Sequence, residues 1–272
     1  MTCANVGTGL DIYSVSSITF EALHMTTRKP SGYVIYSGPS MLDGAPIVAI
    51  AITKSSNRKT GDMLQTYILR ADVSPIDAIK TGSDSSICGE CVHRGTDGIK
   101  RTCYVNIGQG PTVVWKGYVR GIYPYRQNAA TLGEGRMVRL GTYGDPAAVP
   151  AYVWRSLTMN AIGHTGYTHQ WHTSPQYGDL CMASVDSPEE ALEARAMGFR
   201  TFRVSLPSHE SKMTGEVICP ASKEAGAKLH CAECRACDGT TSNRRGSITI
   251  AAHGGTAVMS AIRARNDLIL AA

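Results

Sequence analysis

No run of about 18 consecutive apolar residues occurs in the chain, so no membrane-spanning helix is expected. The first residues, MTCANVGTGLDIYS, have neither a basic start nor an apolar core, which argues against a secretory signal and for a cytoplasmic protein. There is no internal repeat, no low-complexity segment and no run of five like charges. The net charge of +5, from 27 Lys+Arg against 22 Asp+Glu, is therefore thinly spread, with short basic spots at Arg244-Arg245 and at Lys54, Arg58 and Lys59. A nucleic-acid footprint needs clustered cations, so this excess reads as solvated surface, compatible with a small anionic substrate or a weak nucleic-acid contact. The hydrophobic fraction of 43% belongs to an ordinary globular chain. At 272 residues it has room for one α/β barrel or two small domains; oligomeric state is not encoded in any feature.

What the chain does have is cysteine: nine residues, seven of them in two groups. Cys219, followed by proline, precedes Cys231, Cys234 and Cys237, which form C-x2-C-x2-C. Zinc sites are usually built from facing C-x2-C pairs. A C-x2-C-x2-C run completed by a remote Cys-Pro follows the ligand pattern of a [4Fe–4S] cluster, with the Cys-Pro here placed before the run. The earlier group, Cys88, Cys91 and Cys103, is spaced C-x2-C-x11-C with His93 inside it. Three cysteines leave one iron of a cluster open to a substrate or cofactor. With His93 or Cys181 as fourth ligand the site would be closed, and with zinc it would be a structural Cys3His shell. Cys3 and Cys181 read as buried small apolar residues. Because thiols stay reduced in the cytosol, metal is favoured over disulfides.

Residues 1–30 read as a loosely structured arm, followed by the strands GYVIYSG, PIVAIAITKSS and LQTYILRAD, the last two joined as a hairpin through SSNRKTGD. SPIDAIKTG has Ser74 as N-cap, Pro75 in the first turn and Gly82 at the end. After residue 135 strands and helices alternate: GRMVRLGTYG, a helical segment DPAAVPAYVWRSLTMNAIG, and a strand HTGYTHQW. MASV follows, then a helix N-capped at Ser187 and closed by Gly198, with an apolar face of Ala191, Leu192, Ala194 and Met197, then the strand FRTFRV. EVICPAS and GSITIAAHG complete the strands. This βαβ rhythm implies an α/β fold: a partial or full (β/α) barrel over 81–272 carrying both cysteine groups in cysteine-rich loops, after an arm and β-rich extension over 1–80.

In such a barrel the residues after the strands share one rim, so Asp145, His169, Asp186, Cys219 and His253 should converge. Each has a plainer reading. Asp145 suits an N-cap, Asp186 a turn, and Gly254-Gly255 a strand cap or a close approach for a phosphate or ribose, while His169 and His172, flanking Trp171, read as a metal pair, a base or surface residues.

The block RLGTYGDPAAVPAYVW followed by TGYTHQW, preceded by CxxC and a Cys-Tyr, resembles an uncharacterised cysteine-rich family encoded by phages and plasmids. More remotely it is similar to radical S-adenosylmethionine enzymes, in which three early cysteines hold a [4Fe–4S] cluster. The usual C-x3-C-x2-C spacing is absent. The resemblance implies a cluster at Cys88, Cys91 and Cys103 with Tyr104 beside the last, and cofactor contacts from Gly141, Tyr143, Gly144 and Asp145. It further implies acid/base or substrate roles for His169 and Asp186, and an auxiliary cluster at Cys219, Cys231, Cys234 and Cys237. The expected function is thus an iron–sulfur protein with one or two clusters, radical S-adenosylmethionine-like if enzymatic, in a host cytoplasm if phage-encoded. The alternative is a zinc-stapled module without enzymatic activity, nucleic-acid binding or a phage accessory factor.

Overall fold

The computed structural model describes residues 29–55, 57, 59–95, 100–206, 212–222, 224–226, 229–241, 246–253 and 255–271. Cys3, most of the expected N-terminal arm, Arg58, Arg244-Arg245 and Gly254 lie outside them. The protein is α/β, with two five-stranded sheets.

The first sheet has the order β1-β2-β3-β4-β5. β1 (Gly32–Pro39), β2 (Pro46–Ile52) and β3 (Leu64–Arg70) are antiparallel, and β3 then pairs parallel with β4 (Met137–Tyr143), as does β4 with β5 (Gly163–Thr165). β2 is an interior strand and reads as a continuous apolar run; Ile47 to Ala51 are fully buried. Each large aliphatic side chain in it contributes roughly 1.5–3 kcal/mol by leaving water. Strands from either side of residue 80 share this sheet and its core, which runs from Val34 to Cys181.

The crossover from β3 to β4 carries α1 (Pro75–Thr81), α2 (Ser85–Cys88), α3 (Gly110–Val119) and α4 (Ala130–Gly133). α1 is as the sequence implies: the Ser74 hydroxyl accepts the Asp77 N–H, and Gly82 closes the helix in the left-handed region at φ 74°. α3 was not anticipated, since Val113, Val114 and Val119 are poor helix formers. It exists because Pro111, Val114 and Gly117 pack inward.

The segment after β4 is not one helix. Pro146–Ala148 form a 3-10 turn and α5 (Ala151–Thr158) starts afresh, because Pro150 holds Val149 extended at φ −112°, ψ 136°. HTGYTHQW likewise divides into β5 and β6 (Tyr167–Thr168) around Gly166. A side chain at Gly166 would meet the Leu180 carbonyl at 2.6 Å.

The second sheet is parallel throughout, in the order β6-β7-β8-β10-β9. β7 (Met182–Val185), α6 (Pro188–Ala196) and β8 (Thr201–Ser205) form the expected βαβ unit, followed by β9 (Glu216–Ile218), α7 (Cys231–Cys234), β10 (Ser247–Ala251) and α8 (Thr256–Ala271). Ser187 caps α6, its hydroxyl accepting the Glu190 N–H while the Glu190 carboxylate accepts the Asp186 N–H. The buried side of α6 is narrower than expected: Ala191 and Ala194 are covered, whereas Leu192 and Met197 are exposed.

A full barrel is not formed among the described residues. The strands divide between two sheets with β5 and β6 as facing edges, and the Gly166 N–H goes to the Cys237 carbonyl instead of extending the ladder. In the second sheet, Ala183 and Val185 pack on α6, and the alternate residue Met182 faces the opposite way, towards Cys219, Cys237, Ile248 and Ile250.

Candidate metal centre

The parallel strands β4, β6 and β7 end at Asp145, His169 and Asp186, and these three meet. One Asp145 oxygen accepts the Ala147 N–H, capping the 3-10 turn; the other accepts the His169 N–H at 2.8 Å. Asp145 also donates its own N–H to the carbonyl of Ile87, the residue before Cys88. It is thus both a cap and a brace between the cysteine loop and His169, with its carboxylate committed to backbone. Burial pushes its pKa up. Gly141 and Gly144, with φ of 63° and 83°, are demanded by crowding: a Cβ would meet the Gly144 carbonyl at 2.5 Å in the first case and Ile68 Cβ at 2.7 Å in the second.

The loop carrying Cys88, Cys91 and Cys103 is closed at its base by the His93 carbonyl, which accepts the N–H groups of Thr102 and Cys103. Gln170 packs over Gly89 and donates to the Cys88 carbonyl at 3.3 Å. Burial, with the charges of Cys91, Asp84 and Cys103, pushes the Cys88 thiol well up; burial likewise raises Cys103, opposed by Arg101. Beside these thiols lie two buried polar atoms without a hydrogen-bond partner: the Tyr143 hydroxyl, which feels the charges of Cys88 and Cys103, and Arg101 Nη2. Five other buried side-chain atoms among the described residues also lack a hydrogen-bond partner, and these two stand out by lying beside thiols. Burial raises the Tyr143 pKa, with the charge of Cys88 acting in the same direction.

His93 is buried, with Nδ1 2.8 Å from the Thr102 hydroxyl and Nε2 2.9 Å from Asp186 Oδ1. His169 Nε2 lies 3.7 Å from Asp186 Oδ2 and 3.9 Å from Cys91 Sγ. Burial alone would lower the His169 pKa, but Cys91 and Asp186 raise it well above the usual value. Burial would raise Asp186, and the two imidazoles overcome it, holding the carboxyl well below the usual range. His172 does not join: it is exposed, stacked on Trp171, 3.6 Å from Glu193. Trp171 anchors the segment by donating its indole N–H to the Ser184 carbonyl.

Tyr104, next to Cys103, is half exposed; its hydroxyl accepts the His253 N–H and its ring stacks on the His253 imidazole at 4.9 Å. Cys181 is in the main core with its sulfur against Gly166.

The tail cysteines form a second group. Cys219 follows β9, donating its N–H to Thr249 of β10; α7 carries Cys231 and Cys234, and Cys237 follows. The Cys231 and Ala232 N–H groups are accepted by the carbonyls of Lys59 and Thr60. Cys219 feels the charges of Cys231 and Cys234, Cys231 that of Cys234, and Cys237 those of Cys219, Cys231 and Cys234. Burial pushes the Cys237 thiol up to about 12 against a hydrogen bond with Tyr167 that lowers it. Arg200 pins this segment: its guanidinium donates to Asp238 Oδ1 and the Gly239 carbonyl at 2.7 Å, to Ala236 at 2.7 Å and to Gly246 at 2.9 Å. Sequence reasoning passed over Arg200, Arg101 and Thr102. Only the adjacency of the last two to Cys103 hinted at a role.

The eight cysteines among the described residues are all free thiols. No helix among the described residues is long and apolar enough to cross a membrane. No protein-family model matches the chain, and neither a curated protein nor a solved structure is similar to it.

Proposed function

We propose that this is an iron–sulfur protein with a radical S-adenosylmethionine-like active site. Its primary cluster would be held by Cys88, Cys91 and Cys103, and an auxiliary cluster by Cys219, Cys231, Cys234 and Cys237. The observation that carries the reading is the pair of orphaned buried donors, Tyr143 Oη and Arg101 Nη2, set beside a group of buried thiols. An anionic cluster with acceptor sulfurs is the partner such donors lack. β5 and β6, separated only by Gly166 and each at the edge of its own sheet, support viewing the two sheets as an open (β/α) barrel with cysteine-rich loops. Its strand C-termini are where ligands of parallel sheets bind.

A cluster with three cysteine ligands supplies single electrons and one open iron, suited to the amino and carboxylate groups of S-adenosylmethionine. The chain's own contribution is positional. Asp145 fixes His169, Gln170 buttresses the loop backbone, and Arg101 and Tyr143 offset negative charge. His169 and Asp186 line the side where a small-molecule substrate would lie. Tyr104 sits at the exposed rim.

Protein purified without oxygen should be brown, with iron and acid-labile sulfide for two clusters. The Cys88→Ala, Cys91→Ala, Cys103→Ala variant should retain roughly half of both, as for two equal clusters. S-adenosylmethionine should alter the electron paramagnetic resonance signal of the reduced wild type and yield 5′-deoxyadenosine. Stoichiometric zinc without sulfide would overturn the reading in favour of a zinc-stapled module.

A further inference from the structure

We infer that His93, His169 and Asp186 form a separate binding site for one divalent transition-metal ion, next to the first cysteine group and built from different side chains. One donor atom from each residue lies within 4.8 Å of the other two. Metal–nitrogen and metal–oxygen bonds of about 2.0–2.2 Å put neighbouring ligand atoms roughly 3–3.5 Å apart. The 2.9 Å from His93 Nε2 to Asp186 Oδ1 and the 3.7 Å from His169 Nε2 to Asp186 Oδ2 bracket that spacing.

The His93 contact is a good hydrogen bond, 3.7 Å is too long for one, and His169 Nε2 has its own hydrogen-bond contact with Cys91 Sγ at 3.9 Å. Two imidazoles turned towards the two oxygens of one carboxylate also suit ligands around a common centre.

The supporting contacts are those a metal site needs. A ligating histidine generally gives its other ring N–H to an acceptor, which fixes tautomer and ring orientation. Thr102 Oγ1, 2.8 Å from His93 Nδ1 and buried with it, fills that position once a metal ion displaces the Nε2 proton now held against Asp186. The His169 backbone is held by Asp145, and the Asp186 N–H is taken by Glu190. All three ligands are therefore placed by elements already fixed by the fold.

Two imidazoles and one carboxylate on one side of an ion leave further positions for water or substrate. This donor set suits iron(II), zinc or cobalt(II), and excludes magnesium and calcium as preferred occupants, because those ions favour all-oxygen shells. The thiol of Cys91, 3.9 Å from His169 Nε2, borders the site.

The test uses the full chain carrying Cys88→Ala, Cys103→Ala and the four tail substitutions Cys219→Ala, Cys231→Ala, Cys234→Ala and Cys237→Ala. With Cys91→Ala added, this removes both cysteine groups but leaves all three ligands. After chelator treatment, titration with cobalt(II) should give one equivalent bound, with visible ligand-field bands. Asp186→Ala or His169→Ala on that background should abolish those bands, and Thr102→Val should weaken binding roughly 10–100-fold, because the His93 ring loses the group that orients it. If the multiple variant does not fold by circular dichroism, the same measurement is made as zinc stoichiometry. Wild-type protein is then compared with Asp186→Ala and His169→Ala, expecting a loss of one zinc per chain. Equal binding with and without Asp186 and His169 overturns the proposal. Iron and sulfide in the wild type report on the cysteine clusters separately, so either reading can fail without the other.

Discussion

Asp145 holds His169 by the backbone: its carboxylate oxygen accepts the His169 N–H at 2.8 Å, tying the end of β4 to the end of β6. The same residue caps the following turn with its other carboxylate oxygen and donates its backbone N–H to Ile87, so one buried residue registers the two sheets and the cysteine loop against each other. Its side chain and its backbone together couple the fold to the candidate centre.

Asp145→Ala leaves the N–H groups of Ala147 and His169 without acceptors. Each unsatisfied buried donor costs about 1–3 kcal/mol, so urea unfolding should show a loss of at least that size. The cobalt affinity of the His93, His169 and Asp186 group should fall with it. Unchanged stability would mean that the Asp145 carboxylate holds nothing.

Tyr143→Phe removes the orphaned hydroxyl and leaves the ring. If a cluster sulfur accepts that O–H, iron content stays the same while the reduction potential becomes more negative, because hydrogen bonds to sulfur favour the reduced form. If nothing anionic lies there, the variant is simply more stable by about 1 kcal/mol, the relief of a buried unpaired group.

Arg200→Ala frees the segment around Cys237 from four hydrogen bonds, three to backbone carbonyls and one to the Asp238 carboxylate. Iron and sulfide should fall towards the level of the Cys88, Cys91 and Cys103 group alone. Arg200→Lys should not restore them, since an ammonium cannot reproduce the planar fork. Full iron retention in Arg200→Ala would show that the tail is ordered by its sulfurs alone.

Glu216 makes a buried two-point pair with Arg203, both contacts at 2.8 Å. Burial would raise its pKa, but the Arg203 hydrogen bonds, the Met213 N–H and the charges of Arg203 and Arg195 bring it below the usual value. A carboxyl depressed in the folded state stabilises above the unfolded value of about 4.3 and loses that contribution as pH falls through its folded value. Acid unfolding followed by circular dichroism should therefore contain a component below about pH 4.3 that is missing in Glu216→Gln. Glu216→Gln should also be less stable at neutral pH, because Arg203 is left buried without its countercharge.

Local chemistry was legible in the chain: the caps at Ser74 and Ser187, the βαβ unit around α6, and the grouping of seven cysteines by spacing. These depend on neighbours within a few residues. Where the sequence misled, a single backbone group was responsible. Pro150 broke an expected helix, Gly166 divided an expected strand, and α3 formed against its own β-branched composition because the sheet beneath it needed covering.

The sequence by itself determined where the candidate residues stand along the chain: cysteines at C-x2-C spacings, and His169 and Asp186 just after strands. Only the tertiary structure decided which of them meet. His93 reaches Asp186 across 93 positions, Tyr143 and Arg101 come to the same thiols, and Arg200 anchors a segment more than 30 residues away. The reason is physical: spacing along a chain fixes only what a turn or a helix face brings together. Contacts between strand ends depend on sheet order, and sheet order is set by the packing of apolar faces far from the polar groups that it places.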